Sequence, residues 1–158
     1  MKATLIIMAV LLLVIIITLF IRGFNSRKGI SPGLIDGKLT QCSKKPNCVC
    51  SDVKKDAQHY ISPLILPKNS VRETHSLIKD IINNMGGVLV LEKEHYLSFN
   101  FSSALFGFVD DVEIRFDSNG GEIHFRSASR VGTSDFGVNR KRITKIKKLI
   151  KKHLINES

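Results

Sequence analysis

The run Val109-Asp110-Asp111-Val112-Glu113-Ile114-Arg115-Phe116 is followed by Ser118-Asn119-Gly120-Gly121 and then by Glu122-Ile123-His124-Phe125-Arg126-Ser127-Ala128-Ser129. The two outer runs alternate apolar and polar residues with the period of two of a half-buried strand. The Ser/Asn/Gly segment between them reads as a hairpin loop. Register follows from pattern. Pairing Phe116 with Ile123 and Ile114 with Phe125 sets Val112 against Ser127, Glu113 against Arg126 and Arg115 against His124. A slip of one residue would oppose Phe116 to His124 and split the apolar face. The hairpin is therefore predicted to have a dry face and a charged face. The charged face carries Asp111, Glu113, Arg115, His124, Arg126 and Arg130. Asp110 and Asp111 point to opposite faces of one strand, so they form no dyad unless a bulge intervenes. An exposed Glu113–Arg126 pair would contribute about 0.2–1 kcal/mol.

Working outward, residues 96–101 alternate too, with Leu97, Phe99 and Phe101 on one side, and residues 88–91 form a short apolar strand. Upstream, Val71, His75, Ile78, Ile81, Ile82 and Met85 follow helical spacing. Ser70 with Glu73 reads as a capping box, and Gly86-Gly87 stops the helix. Residues 138–154 form a second helix with Ile143, Ile146, Ile150 and Leu154 on one face. Residues 59–67, with prolines around Leu64-Ile65-Leu66, read as extended chain. The order helix, four strands, helix predicts an α+β domain: a small antiparallel sheet of about four strands with two packed helices. Helices on one face would leave the other face polar or lining a groove.

The chain has 158 residues, enough for one domain once a membrane segment is set aside. Between residues 3 and 21 only Thr4 and Thr18 are not apolar. As a helix that run is about 28 Å long, enough to cross a bilayer core. It is longer than the apolar core of a signal peptide, and no small-x-small site follows it, so an uncleaved single-pass anchor is the better reading. The domain plan is an anchor over 1–22, a Gly/Ser/Pro-bearing linker over 23–40 and the α+β domain over 41–158. The net charge of +10 is uneven. Residues 29–139 are nearly balanced, with 12 cations and 13 anions, whereas 140–153 hold eight cations and no anion. That basic helix has no aromatic residue to read bases, which argues against a nucleic-acid partner. Its outward cations, Lys145, Lys148 and Lys152 among them, would instead suit anionic lipid or simply a solvated face.

Cys42, Cys48 and Cys50 lie close together, with a Pro46-Asn47 turn signal between the first two. A turn there brings Cys42 and Cys48 within disulfide reach, which would imply an oxidising compartment. The other reading is a metal site of all three thiols with His59, although this spacing matches no standard zinc pattern.

Three further stretches carry a resemblance. They are Phe108-Val109-Asp110-Asp111-Val112-Glu113, the run Arg126-Ser127-Ala128-Ser129-Arg130-Val131-Gly132, and Ser134-Asp135-Phe136-Gly137-Val138-Asn139-Arg140-Lys141-Arg142-Ile143. With Pro46-Asn47-Cys48 upstream, the chain from about Leu39 to Leu149 resembles the family called domain of unknown function 1499. The resemblance implies bacterial and plastid proteins, often with an export or membrane segment, and no established reaction, substrate or cofactor. It implies that Cys42 and Cys48 are the family's pair, which favours the disulfide over the metal site. Cys50 stands where the family usually has Ser. Arg22, Arg27 and Lys28 after the apolar run lean, by the positive-inside rule, towards a cytoplasmic domain, whereas the family's frequent export signals favour an extracytoplasmic one.

The candidate site is the polar cluster Asp110, Asp111, Glu113, Arg126, Arg130, Asp135, Asn139, Arg140 and Arg142. Carboxylates beside arginines suit an ion-pair network, anion binding or acid–base work. No Ser-His-Asp order, phosphate loop or HExxH motif is present, and Ser127 and Ser129 fall on the apolar side of their strand. The sequence therefore points to a non-catalytic, membrane-anchored binding or scaffolding module without a cofactor. The alternatives are a hydrolase using Asp111, Glu113 and His124, or a binder of a small anion.

Overall fold

The structure, a computed structural model, describes residues 1–66, 71–117 and 121–156. Helix α1 (Lys2–Ser26) leads into β1 (Leu34–Ile35), β2 (Lys38–Leu39), β3 (Cys48–Cys50) and β4 (Leu64–Ile65). Then come α2 (Val71–Asn84), β5 (Val88–Lys93), β6 (Tyr96–Ser102), β7 (Val109–Phe116), β8 (Glu122–Ser129) and α3 (Val138–Asn156). The fold is α+β. The main antiparallel sheet runs β3-β8-β7-β6-β5, and β4 also pairs with β8.

Among the described residues the sheet has six strands, not four. The additional β3 and β4 are three and two residues long, too short to display alternation. Each pairs with a different end of β8, so together they cover an edge that would otherwise expose unpaired backbone groups. The β7–β8 register is the predicted one: Phe116 faces Ile123, Ile114 faces Phe125 and Glu113 faces Arg126. The pairing is continuous through Asp110 and Asp111, so no bulge turns them to one side. The loop at 118–120 and the Ser70 cap lie outside the described residues.

Helices α2 and α3 cover the dry face. Ile78, Ile82, Ile143, Ile146 and Ile150 meet Leu97, Phe99, Val112, Ile114 and Phe125, all fully buried. The inward stripe of α3 is the expected one, with Leu154 half-buried at its end. Helix α2 stops where Gly86 takes φ +89°, a left-handed conformation that glycine adopts without strain.

The charged face is covered as well. Residues 29–40 lie against the sheet instead of crossing open solvent, and form a strap. Its β1–β2 hairpin turns through Asp36-Gly37, both with positive φ, as a two-residue hairpin turn requires. Ser31 Oγ meets Ser98 Oγ at 2.8 Å, and Leu39 is buried in a second small core with Cys42, Cys48, Cys50, Tyr96 and Ala128. A Cys42–Cys48 disulfide, Cα atoms 5.7 Å apart, fastens the end of the strap to β3.

Helix α1 also touches the domain. The Phe20 ring packs edge-on against Phe106, centroids 5.2 Å apart. A Cβ at Gly23 would run into the Phe106 carbonyl oxygen, so only glycine permits this approach. Ser26 Oγ accepts the Val109 N–H at 3.1 Å and donates to the Gly23 carbonyl at 2.7 Å.

Candidate functional site

Strand pleating divides the sequence-predicted cluster between two faces, and the partners of each face differ. Under the strap, Glu113 is fully buried. Its Oε1 accepts the Tyr96 hydroxyl at 2.7 Å and the Gly33 N–H at 2.9 Å, and its Oε2 accepts Arg126 Nη1 at 2.5 Å. Burial, and then the negative charge of Glu113, push the Tyr96 hydroxyl well above its ordinary pKa. Beside this pair, Arg130 donates two hydrogen bonds to Asp111, at 2.9 and 2.7 Å. It also reaches Asn100 Oδ1 at 3.0 Å and the Ser26 carbonyl at 3.2 Å. Arg130 thus ties the sheet to the end of α1.

Asp52, which sequence reasoning did not single out, completes this face. It accepts Arg115 Nε and Nη2 at 3.0 and 2.7 Å, His124 Nδ1 at 2.9 Å and the Leu39 N–H at 2.8 Å. Burial alone would raise its pKa. The hydrogen bonds from His124, Arg115 and the Leu39 backbone outweigh that and hold the carboxyl well below the usual carboxylate range. A depressed folded-state pKa means the stabilisation is fully present above the unfolded value of about 3.9 and is lost as pH falls below it. Acid unfolding of the full chain is therefore expected to have a shallower acid limb in Asp52→Asn than in the wild type. Superimposable limbs would show that Asp52 does not carry it.

The hydrolase constellation is not assembled. Asp111, Glu113 and His124 each bind a different partner: Arg130, Arg126 and Asp52. Ser51, His124 and Asp52 do lie together, but Ser51 Oγ and Asp52 Oδ1 both meet His124 Nδ1. A relay needs the acid and the nucleophile on opposite ring nitrogens, and the acid opposite Ser51 is Glu122, half-exposed, 3.3 Å from His124 Nε2. Ser51 is also buried and accepts the Phe125 N–H at 2.8 Å. The three-thiol metal arrangement is removed by the disulfide, and His59 holds Asp56 at 2.7 Å and the Lys45 carbonyl at 3.0 Å. Cys50 is a buried free thiol whose pKa burial pushes up.

On the helix-covered face, Asp110 accepts Arg142 Nη2 at 2.8 Å. Arg142 Nη1 donates to Asn139 Oδ1 at 2.6 Å and Ser127 Oγ at 3.2 Å. Asn139 Nδ2 donates to the Asn47 carbonyl at 3.0 Å and to Ser129 Oγ at 3.1 Å. Asp135 caps α3, accepting the Asn139 and Gly137 N–H groups at 2.7 and 3.0 Å. Arg140 stands apart, exposed, donating to the Tyr60 and Gln58 carbonyls. The network thereby locks β3, the end of β8 and the start of α3 together.

That network floors an open groove of about 510 Å³ between the 103–108 and 130–137 loops. Phe101, Phe108, Val131, Phe136 and Val138 supply apolar walls, and Ser103, Ser129 and Ser134 supply hydroxyls. The second cleft of note, about 620 Å³, lies at the other end of α3 between Ile61–Ser62 and Lys147, Lys148, Lys151 and Lys152. Lys147 Nζ donates to the Ser62 carbonyl at 2.7 Å there, and burial, with Lys151 nearby, lowers its pKa.

A family model described as protein of unknown function (DUF1499) matches residues 38–150. The chain belongs to the DUF1499 family. The match spans β2 through most of α3, and so takes in both the strap-covered charges and the groove floor of this DUF1499 domain. No similar curated protein and no similar solved structure is found.

Proposed function

We propose that the chain is a membrane-anchored, non-catalytic binding module whose ligand site is the groove between the 103–108 and 130–137 loops. The observation that carries this reading is the state of the carboxylates. Asp52, Asp110, Asp111 and Glu113 are each neutralised by a buried or half-buried arginine, which leaves them poor acids, bases and anion sites. The groove, by contrast, is concave, apolar-walled and furnished with hydroxyls, as small-molecule sites are.

Retention of α1 is supported by its packing. Phe20, Gly23 and Ser26 belong to the domain's own contacts, and cleaving the helix away would strand Phe106 and the Val109 N–H. The disulfide supports an extracytoplasmic domain. The basic end of α3 lies beside Ser62, near β4, which pairs with the first residues of β8. Helix α1 meets Val109 and Arg130, beyond the last residues of β8. Six strand residues separate those ends, about 20 Å. This spacing favours a solvated role for Lys145, Lys148 and Lys152 over contact with the bilayer that holds α1.

Val131→Trp fills the groove from a half-exposed wall position without touching the charge network. Full-length protein taken from its native membrane and examined by native mass spectrometry is expected to carry a small molecule. In Val131→Trp that occupancy should fall about tenfold or more with unfolding temperature unchanged. Wild-type protein with an empty groove, or equal occupancy in the variant, would overturn the proposal.

A further inference from the structure

We infer that the tip of the 103–108 loop is immersed in the bilayer and that the groove behind it takes the acyl chain of an uncharged acylglycerol lipid from that bilayer. This rests on the anchor and groove readings above, and adds where the ligand comes from and what class it is.

Depth follows from one contact. Phe20 lies inside the apolar run of residues 3–21, and Phe106 packs on its ring, enabled by Gly23. A helix that crosses the bilayer with that run carries Phe106 to the same level, about half a turn below Arg22 and one turn below Phe24. Leu105 beside it is 69% exposed, and Phe136 on the adjoining loop is 90% exposed. Phe136 also holds φ +53°, a left-handed conformation that bulky side chains avoid. Two apolar side chains presented this openly at the foot of a membrane helix are explained by lipid around them.

The same aromatic chain leads inward. Phe106 packs against Phe108, centroids 6.1 Å apart, and Phe108 is a wall of the groove. The groove therefore opens beside the level of the acyl chains.

The lining chemistry selects the ligand. Arg142 already serves Asp110, Asn139 and Ser127 and lies over the Phe101 ring, and Asp135 serves two backbone N–H groups. No cation of the lining is left over for a phosphate. Ser103, Ser129 and Ser134 each accept one hydrogen bond, from the Phe108 N–H, Asn139 Nδ2 and the Phe136 N–H. Each hydroxyl hydrogen is then available to a neutral acceptor. Ester carbonyls beside an acyl chain supply such acceptors without bringing charge.

The chain has no Trp, so a single introduced Trp is an unambiguous reporter. Leu105→Trp and Lys148→Trp are made in the full-length protein and reconstituted in phosphatidylcholine nanodiscs containing bromine-labelled acyl chains. Emission from Leu105→Trp is expected to be blue-shifted and quenched, and that from Lys148→Trp to be neither. Native mass spectrometry of wild-type protein from nanodiscs with equal diacylglycerol and phosphatidylglycerol is expected to retain diacylglycerol about tenfold in excess, and Val131→Trp to retain neither. A water-exposed Leu105→Trp overturns the immersion. Equal retention of both lipids, or preference for phosphatidylglycerol, overturns the lipid class. A wild type that carries only a water-soluble molecule, lost in Val131→Trp, overturns this inference while leaving the groove as a binding site.

Discussion

Glu113→Gln should destabilise the domain by about 3–5 kcal/mol, the expected cost of stripping one partner from a buried ion pair. Glu113 is fully buried and Arg126 is 8% exposed, so the guanidinium left behind cannot recruit solvent. Arg126 Nε, moreover, is buried with no hydrogen-bond partner among the described residues, and the guanidinium's charge is balanced chiefly through Nη1. The pair is not the exposed cross-strand contact that its register alone implies. The double variant Glu113→Leu/Arg126→Leu should recover much of the loss, since it removes both charges together. Recovery should be incomplete, because the buried Tyr96 hydroxyl loses its acceptor, at about 1–3 kcal/mol, and the half-buried Gly33 N–H loses its own. Denaturant unfolding of the full chain in micelles measures both. A loss below about 1 kcal/mol for the single variant would place the pair in the range of solvated surface bridges.

Replacing Cys42 and Cys48 together by Ser should cost about 2 kcal/mol, the chain-entropy value for so short a closed loop. The cross-link spans a sequence separation of only six, so the global loss is modest. The local consequence is larger. Leu39 and Cys42 hold the end of the strap in the second core, and Lys38 lies just before them. Trypsin should cut after Lys38 faster in the double variant, and in reduced wild-type protein, than in the oxidised protein. Cys50 should resist a thiol reagent until the domain unfolds, because it is buried. Identical cleavage and melting with and without reductant would show that the strap is held by other contacts.

The hairpin register was legible because charge and apolarity alternate without interruption through residues 111–116 and 122–126. The inward face of α3 was legible for the same kind of reason, from isoleucines at helical spacing. Strands β3 and β4 were not, since two or three residues have no period to read. The strap was partly legible: Asp36-Gly37 is a hairpin signal, but it sits in a stretch whose glycines read as a linker. What covers Glu113 could not be read locally, because the Gly33 N–H comes from 80 residues away. The groove was hidden for a related reason. It is built from two loops, neither of which carries a periodic pattern, and its position beside α1 depends on one glycine.

The long reach from Gly33 to Glu113 also sets an order of events as the chain is made. At about 5–20 residues per second of synthesis, the strap leaves the ribosome several seconds before the strand that receives it. During that interval α1, long and apolar enough to cross a membrane, is already made, while the strap it is joined to has nothing to lie on. The Cys42–Cys48 loop spans only six positions and can close early. The late arrival of Glu113 and Arg126 is then the step that turns a loosely held N-terminal segment into part of the domain. A chain stalled before Arg126 should therefore be open to protease at the strap, and one released after α3 should be closed.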